Sequence, residues 1–324
     1  MLYEKVIKQK NFTEVSEFLE ELSRDNPKWE RCNPRLKLRH VTWIFRGQSD
    51  SEGPLIPLVL RPEIIPKYKH IFTCAPHNNH DQIRAEYWLI EEFRQLLDEQ
   101  GLPIPEDSQE FRAGWRNEAR EILDVLKGKR AWPPDKYLSL MALAQHHRVP
   151  TRLLDWTRDP YAAAYFAAKE AATWVVGETI PPNEGVKNLS VWAFNTFFSD
   201  FYYNIDGTVR TVRTVTAPAY GNPNLHAQKG LFTLVGPKFF SPNGKVQQYP
   251  FEEYIVDKVK EFKNKDKPLI PLPVIMKFTI SIEKSREILR HLAKQFYINA
   301  ATIYPGFDGA AEALKEQRLW DKTF

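Results

Sequence analysis

The apolar and polar positions along the chain resolve into a few helical and strand-like stretches. Residues 12–23 carry Val15, Phe18, Leu19 and Leu22 at helical spacing behind Thr13, Ser16 and Glu17, which predicts an amphipathic helix. Residues 41–45 turn β-like and end at Arg46-Gly47, a short strand that delivers an arginine to its end. Prolines 54, 57, 62 and 66 forbid long helices and predict an ordered loop plugged by Leu55, Ile56, Leu58, Val59 and Leu60. Residues 83–100 then stripe Ile83, Tyr87, Ile90, Phe93 and Leu97, and residues 111–126 repeat the period with Trp115, Ala119, Ile122 and Leu126. Glu86 lies one turn from Ile90, and because acidic residues are rarely buried unpaired it is read as solvated.

The second half alternates similarly. Residues 186–194 and 231–235 predict strands, with Gln228 and Gly230 at the entrance of the latter; residues 197–203 are an aromatic segment assigned to the core. Residues 208–216 mix Val209, Val212 and Val215 with threonine and arginine and give no clear element. Residues 258–267 are lysine-rich and read as a solvated surface insertion. Residues 273–279 predict a strand, Ser281 the cap of a following helix, and residues 302–316 a Gly-Phe-Asp-Gly turn and a short helix. Strands and helices in this order predict an α+β fold: a mixed, partly antiparallel central sheet forming a cleft, with helices packed around it. Residues 1–40 are read as an N-terminal helical extension and residues 81–130 as a helical insertion in a main domain spanning 41–324.

The densest chemistry lies between two helical patterns. Leu138, Met141 and Leu143 lead into His146-His147 and stop at Val149-Pro150, where the proline disfavours helix in the residue before it. Asp159-Pro160 opens an alanine-rich helix, since Asp accepts from free N–H groups and proline at the first position has none to leave unpaired. Thr151, Arg152, Asp155, Trp156, Thr157 and Arg158 fall in the short non-helical connection between them, the kind of segment that often holds binding groups. The alternative is structural, with Arg152 and Asp155 as an ion pair and the two histidines as a helix cap.

Composition narrows the classes. Lys and Arg number 45 against 41 Asp and Glu, a net charge of +4 that permits a phosphate-bearing ligand without requiring one. Two cysteines, Cys32 and Cys74, offer no disulfide framework and point to a reducing compartment. No signal peptide or run of roughly 18 to 20 apolar residues is seen, so the expected location is the cytoplasm, away from membranes. His70, Cys74, His77 and His80 match no paired-ligand spacing, and no metal is assigned. Glycine-rich nucleotide loops, the nucleophile-elbow pattern and H-E-x-x-H are all absent.

Several blocks together resemble the FRG domain, named for its Phe/Tyr-Arg-Gly motif. They are Phe45-Arg46-Gly47, Glu86 with Phe93, residues 142–147 running into Pro150-Thr151-Arg152-Leu153-Leu154-Asp155-Trp156-Thr157, residues 227–233, and Tyr304-Pro305-Gly306-Phe307-Asp308-Gly309. The sequence departs from that pattern at Arg148, where glycine is frequent, and at Asn224-Leu225-His226, where a basic residue commonly precedes the Ala-Gln pair. The resemblance implies a bacterial toxin or phage-defence component, which in turn implies a neutralising antitoxin partner.

A weaker resemblance, to ADP-ribosyltransferases, implies a mechanism. Those enzymes place an Arg at the end of their first core strand, a Ser/Thr-rich strand before a helix, and a Glu or Gln near a later strand; Arg46, Trp156-Thr157 and Gln228 fall in that order. It implies NAD as substrate, bound among others by Gly47, Gln48 and Arg152, with Arg46 on its diphosphate and Thr157 on the ribose. Trp156 or Tyr165 would stack on nicotinamide, Gln228 would orient the ribose or the acceptor, and Asp155 and His146 would supply charge or a base. Arg148, Arg152 and Arg158 favour a nucleic-acid acceptor, with a protein acceptor next. Two other readings stay open: a metal-dependent nuclease using His146, His147, Asp155 and Asp159, and a non-catalytic nucleotide-binding module.

Overall fold

The computed structural model describes residues 2–33, 38–41, 43–68, 76–116, 123–125, 127, 132–183, 185–198, 212–216, 223–235, 246, 249–264 and 272–320. It is an α+β fold around a seven-stranded mixed sheet. Strands β1 (Ile7–Phe12), β2 (Glu30–Asn33), β3 (Leu38–Val41) and β4 (Trp43–Gln48) come from the first part of the chain, with β2 and β3 forming a separate two-stranded ribbon. Strands β5 (Leu154–Thr157), β6 (Asn188–Asn195), β7 (Val212–Val215), β8 (Gly230–Val235) and β9 (Ile275–Ser281) complete the sheet in the order β1-β9-β6-β4-β5-β8-β7. Only the β1–β9 edge is parallel; every other neighbouring pair is antiparallel.

Three apolar layers hold the sheet. On one face lies the alanine-rich helix; in chain order the helices are α1 (Leu2–Val6), α2 (Val15–Glu21), α3 (Asn79–Glu99), α4 (Gln109–Arg116), α5 (Leu138–His146) and α6 (Pro160–Val175). They continue with α7 (Pro223–Ala227), α8 (Phe251–Asn264), α9 (Ser285–Phe296), α10 (Ala300–Ile303) and α11 (Phe307–Trp320). The small side chains Ala163, Ala164, Ala167 and Ala168 let α6 lie close on β4, and Gly47 completes the approach. A Cβ on Gly47 would sit 2.0 Å from the Ala163 carbonyl oxygen and 2.8 Å from the Ala167 nitrogen. On the opposite face α8 buries Phe251, Tyr254, Ile255, Val259 and Phe262 against Trp156, Phe194 and Ile275. A third cluster joins α3 and α5 to β8 through Ile83, Tyr87, Tyr137, Met141, Phe232 and Leu234.

Several expectations change. The connection after Pro150 contains β5, an interior strand, because Leu154 and Trp156 alternate into the α8 layer while neighbours on both sides supply its ladder. The first forty residues contain the helix at Val15–Glu21, and they also give the sheet its edge strand β1, whose buried ends Ile7 and Phe12 flank four exposed polar residues. The lysine-rich segment begins inside α8, an amphipathic core helix in which even Lys258 is buried, its ammonium donating to Glu261. Val212–Val215 is strand β7 rather than an undefined segment. Glu86 is buried, 1% exposed, because Arg152 reaches it from a distant part of the chain. His70, Cys74, residues 117–122 of the second predicted helix and residues 199–203 of the aromatic segment lie outside the described residues. Among the described residues no helix is long and apolar enough to cross a membrane.

Candidate functional site

The sheet is open at one seam. β4 is registered with β6 through six pairs and β5 with β8 through four, whereas β4 and β5 meet at a single pair, Phe45 and Thr157. Arg46 follows Phe45, where the strands part, and its Nη1 donates to the Asp155 carbonyl oxygen across the gap at 2.9 Å. Above the seam lies a cavity of about 270 Å³, lined by Arg46, Asp155, Thr157, His146, Gln228 and Phe166 among others. Helix α5 ends at His146 and α7 leads into Gln228, while α6 presents Phe166 from its middle, so two helix ends and the flank of a third helix converge on one strand gap.

Arg46 is short of partners. Its Nη1 lies 3.6 Å from the Asp155 carboxylate, while its Nε is buried with no hydrogen-bond partner. Burial holds the guanidinium below its ordinary range; Asp155 opposes that shift and the nearby Arg61 guanidinium adds to it. Asp155, half-exposed, is steered by a second contact: Gln145 Nε2 donates to its Oδ2 at 2.9 Å.

Proton counting fixes the orientation of that amide. The Thr151 hydroxyl accepts from the Leu153 N–H at 3.1 Å and donates to Gln145 Oε1 at 2.8 Å. A carboxylate only accepts, so Gln145 presents its nitrogen to Asp155 and is left with its oxygen to take the one hydroxyl proton of Thr151. The sequence reading missed Gln145 and Thr151 as site residues, although both stand inside the block it singled out. His146 neighbours this relay, its ring 5.2 Å from that of His147. Burial chiefly, then His147, lowers the His146 pKa, against a smaller opposing pull from Asp155.

Thr157 and Gln228 are brought together as expected, through the backbone. Thr157 Oγ1 donates to the Gln228 carbonyl oxygen at 2.6 Å and accepts from the Asp159 N–H at 3.0 Å, so its proton is committed. The Gln228 amide nitrogen donates to the Ile303 carbonyl at 3.3 Å, tying the site to α10. Trp156 borders the cleft, but its ring packs on Phe194 and Phe251 and its N–H donates to Thr233 at 2.8 Å. Gly47 lines the cleft and touches α6; the Gln48 side chain instead accepts from Trp192 at 2.6 Å.

Two expected residues stand elsewhere. Arg152 pairs with Glu86 rather than Asp155, donating to both carboxylate oxygens at 2.6 and 2.7 Å while Trp132 and Gln82 donate to the same group. Tyr165 is fully buried and donates to Glu316 at 2.6 Å, away from the cleft lining. Asp159 caps α6 at the Tyr161 N–H and is paired with Arg24 at 2.7 Å and Lys229 at 3.2 Å. Among the described residues no three His, Cys, Asp or Glu side chains gather as a metal-binding group.

Fold and seam define an α+β protein whose polar groups converge where its sheet opens. Residues 41–174, which hold β4, β5 and most of α6, match the family model of the FRG domain. No curated protein and no solved structure matches the chain.

Proposed function

We propose that the seam cleft binds NAD and transfers ADP-ribose from it to a macromolecular acceptor. The observation that carries this reading is the pairing of an under-satisfied guanidinium, Arg46, with a half-exposed carboxylate, Asp155, across a gap between strands. A guanidinium edge matches a phosphate oxygen pair, and a carboxylate aimed at a developing cation lowers the barrier for its formation. At about 270 Å³ the cavity lies just below the roughly 300–1,000 Å³ typical of ligand pockets. It suits the nicotinamide riboside end of a dinucleotide, with the diphosphate at Arg46 and the adenosine toward the mouth.

In this reaction the bond between ribose C1′ and the nicotinamide nitrogen breaks, and its electron pair leaves with nicotinamide. Asp155 faces the positive charge left on the ribose, taking the part that the neutral amide of Gln228 cannot. The acceptor nucleophile bonds to C1′ and gives its proton to His146, whose lowered pKa keeps it neutral and ready to accept. Arg148 and Arg158 are exposed beside the cleft residues and favour a nucleic-acid acceptor; Arg152, buried against Glu86, takes no part. Acting on cellular nucleic acid or protein, such an enzyme serves as a toxin or phage-defence effector restrained by an antitoxin protein.

The test is incubation of purified protein with labelled NAD and separate RNA, DNA and protein fractions, comparing wild type with Arg46→Ala and Asp155→Asn. Label entering one fraction and lost in both variants is the expected result; unconsumed NAD in every mixture overturns the reading. Induced expression that arrests growth in wild type but not in Asp155→Asn is the expected cellular counterpart.

A further inference from the structure

We infer that one rim of the cleft is built to hold single-stranded nucleic acid, with Arg158, Lys229 and Arg24 as its cationic part and Phe307 as the platform on which a base stacks. This deepens the reading above and rests on it only in taking the cleft as the reactive centre.

A short chain of contacts places the rim. Thr157 and Gln228 both line the cleft, and the Thr157 hydroxyl donates to the Gln228 carbonyl at 2.6 Å. The residues that follow them are joined as well, the Arg158 N–H donating to the Lys229 carbonyl at 3.1 Å. The Gln228 side-chain amide donates to the Ile303 carbonyl at 3.3 Å, which brings the turn after α10 to the same edge. Tyr304 opens that turn, its ring 6.5 Å from that of Phe166, another lining residue.

Charge is unbalanced along this edge. Lys229 and Arg24 share the single buried carboxylate of Asp159, at 3.2 and 2.7 Å, and both cations remain partly in solvent. Arg158 is exposed, and among the described residues no carboxylate pairs with it. Lys229 also holds a left-handed backbone, with φ 48°, just past the end of α7, where glycine is the unstrained choice. A long cationic side chain kept at a strained position beside a cleft points to a use for that side chain.

Phe307 is 97% exposed, yet its setting is rigid. The start of α11 folds onto the turn so closely that a Cβ on Gly309 would meet the Tyr304 carbonyl oxygen at 1.6 Å, and the buried Glu316 of α11 accepts from the Ala300 N–H at 3.1 Å. An aromatic ring held in water beside several cations suits a single strand, whose phosphates meet the cations and whose unpaired bases offer a face to the ring. A duplex keeps its bases stacked on one another, and an acidic peptide uses the cations but not the ring.

The experiment is fluorescence anisotropy of the full chain, without NAD, against a labelled single-stranded oligouridine of about 12 nucleotides, a duplex of the same length and a polyglutamate peptide, across a salt series. Wild type is expected to bind the single strand most tightly, with affinity falling as salt rises. Arg158→Ala and Lys229→Gly are each expected to reduce the slope of log affinity against log salt by about 0.7, the loss of one phosphate contact, with no lowering of the unfolding midpoint in Lys229→Gly. Phe307→Ala is expected to weaken binding about 5- to 100-fold at every salt concentration and to leave the slope unchanged. Wild-type slope and affinity in all three variants overturn the proposal, as does preference for the duplex, preference for polyglutamate, or failure of wild type to bind the single strand. Phe307-dependent strand binding by a protein that never consumes NAD supports the rim and defeats the transferase reading; NAD consumption without strand binding does the reverse.

Discussion

Two arginine–carboxylate contacts in the FRG block, Arg152 with Glu86 and Arg46 with Asp155, behave in opposite ways. Arg152 and Glu86 meet in the core at 4% and 1% exposure, with two guanidinium hydrogen bonds at 2.6 and 2.7 Å and further donors from Trp132 and Gln82. Arg46 and Asp155 meet at 3.6 Å with the carboxylate half in solvent and an arginine nitrogen unpartnered. The chemistry is shared; the saturation is not. A pair with its hydrogen-bonding capacity filled pins α3 to the chain entering β5, whereas one left incomplete can exchange its partner for a ligand.

The sharpest way to break this comparison is to remove one member of each pair. Arg152→Met leaves Glu86 charged and buried, and is expected to cost about 3–5 kcal/mol in urea unfolding; the double variant Arg152→Met/Glu86→Leu recovers much of it. Arg46→Leu is expected to leave the unfolding midpoint unchanged or higher, since it relieves a desolvated cation, while the proposed NAD turnover falls about 10²- to 10³-fold. A destabilised Arg46→Leu would erase the distinction.

Thr151 stands between the two pairs and sharpens the contrast further. Thr151→Val removes the donor that orients Gln145 and leaves the Leu153 N–H without its acceptor. The expected loss is about 1–3 kcal/mol, the range for an unsatisfied buried group, with kcat lowered and restored by Thr151→Ser.

The smallest effect is in pH dependence. The His146 pKa lies below its usual 6.5 in the folded chain, so the unfolded chain binds its proton first as pH falls. Its contribution to stability is therefore complete above pH 6.5 and is lost on acidification from there toward the lowered folded value. Thermal unfolding of wild type and His146→Gln across that window should show the steeper acid-side decline in wild type.

Much of this was legible where chemistry and local pattern coincide. Phe45-Arg46-Gly47 reads as a strand end bearing a cation, and Asp159-Pro160 reads as the start of α6; both hold in the fold. Gly47 has a physical reason the sequence leaves unstated: the Ala163 carbonyl occupies the space of any side chain. What escaped depends on distant partners. Glu86 looks solvated until Arg152, 66 residues later, arrives beside it. Trp156 and Tyr165 look like stacking platforms until Phe251 covers the first and Glu316 holds the second. β1 is polar along four of its six residues and shows no strand pattern, because it sits at the sheet edge.

The placement of β9 sets a schedule for assembly. This strand, far along the chain, is inserted between β1 and β6, so β1 has its ladder partner only after more than 260 residues have followed it. Contacts that span the chain so widely slow folding, because loop closure must be paid before pairing rewards it. A ribosome-bound chain that ends before Ile275 holds Arg46 and Asp155 but lacks the strand that joins β6 to the edge. Completion of the sheet is thus a late event, well after the cleft residues have been translated.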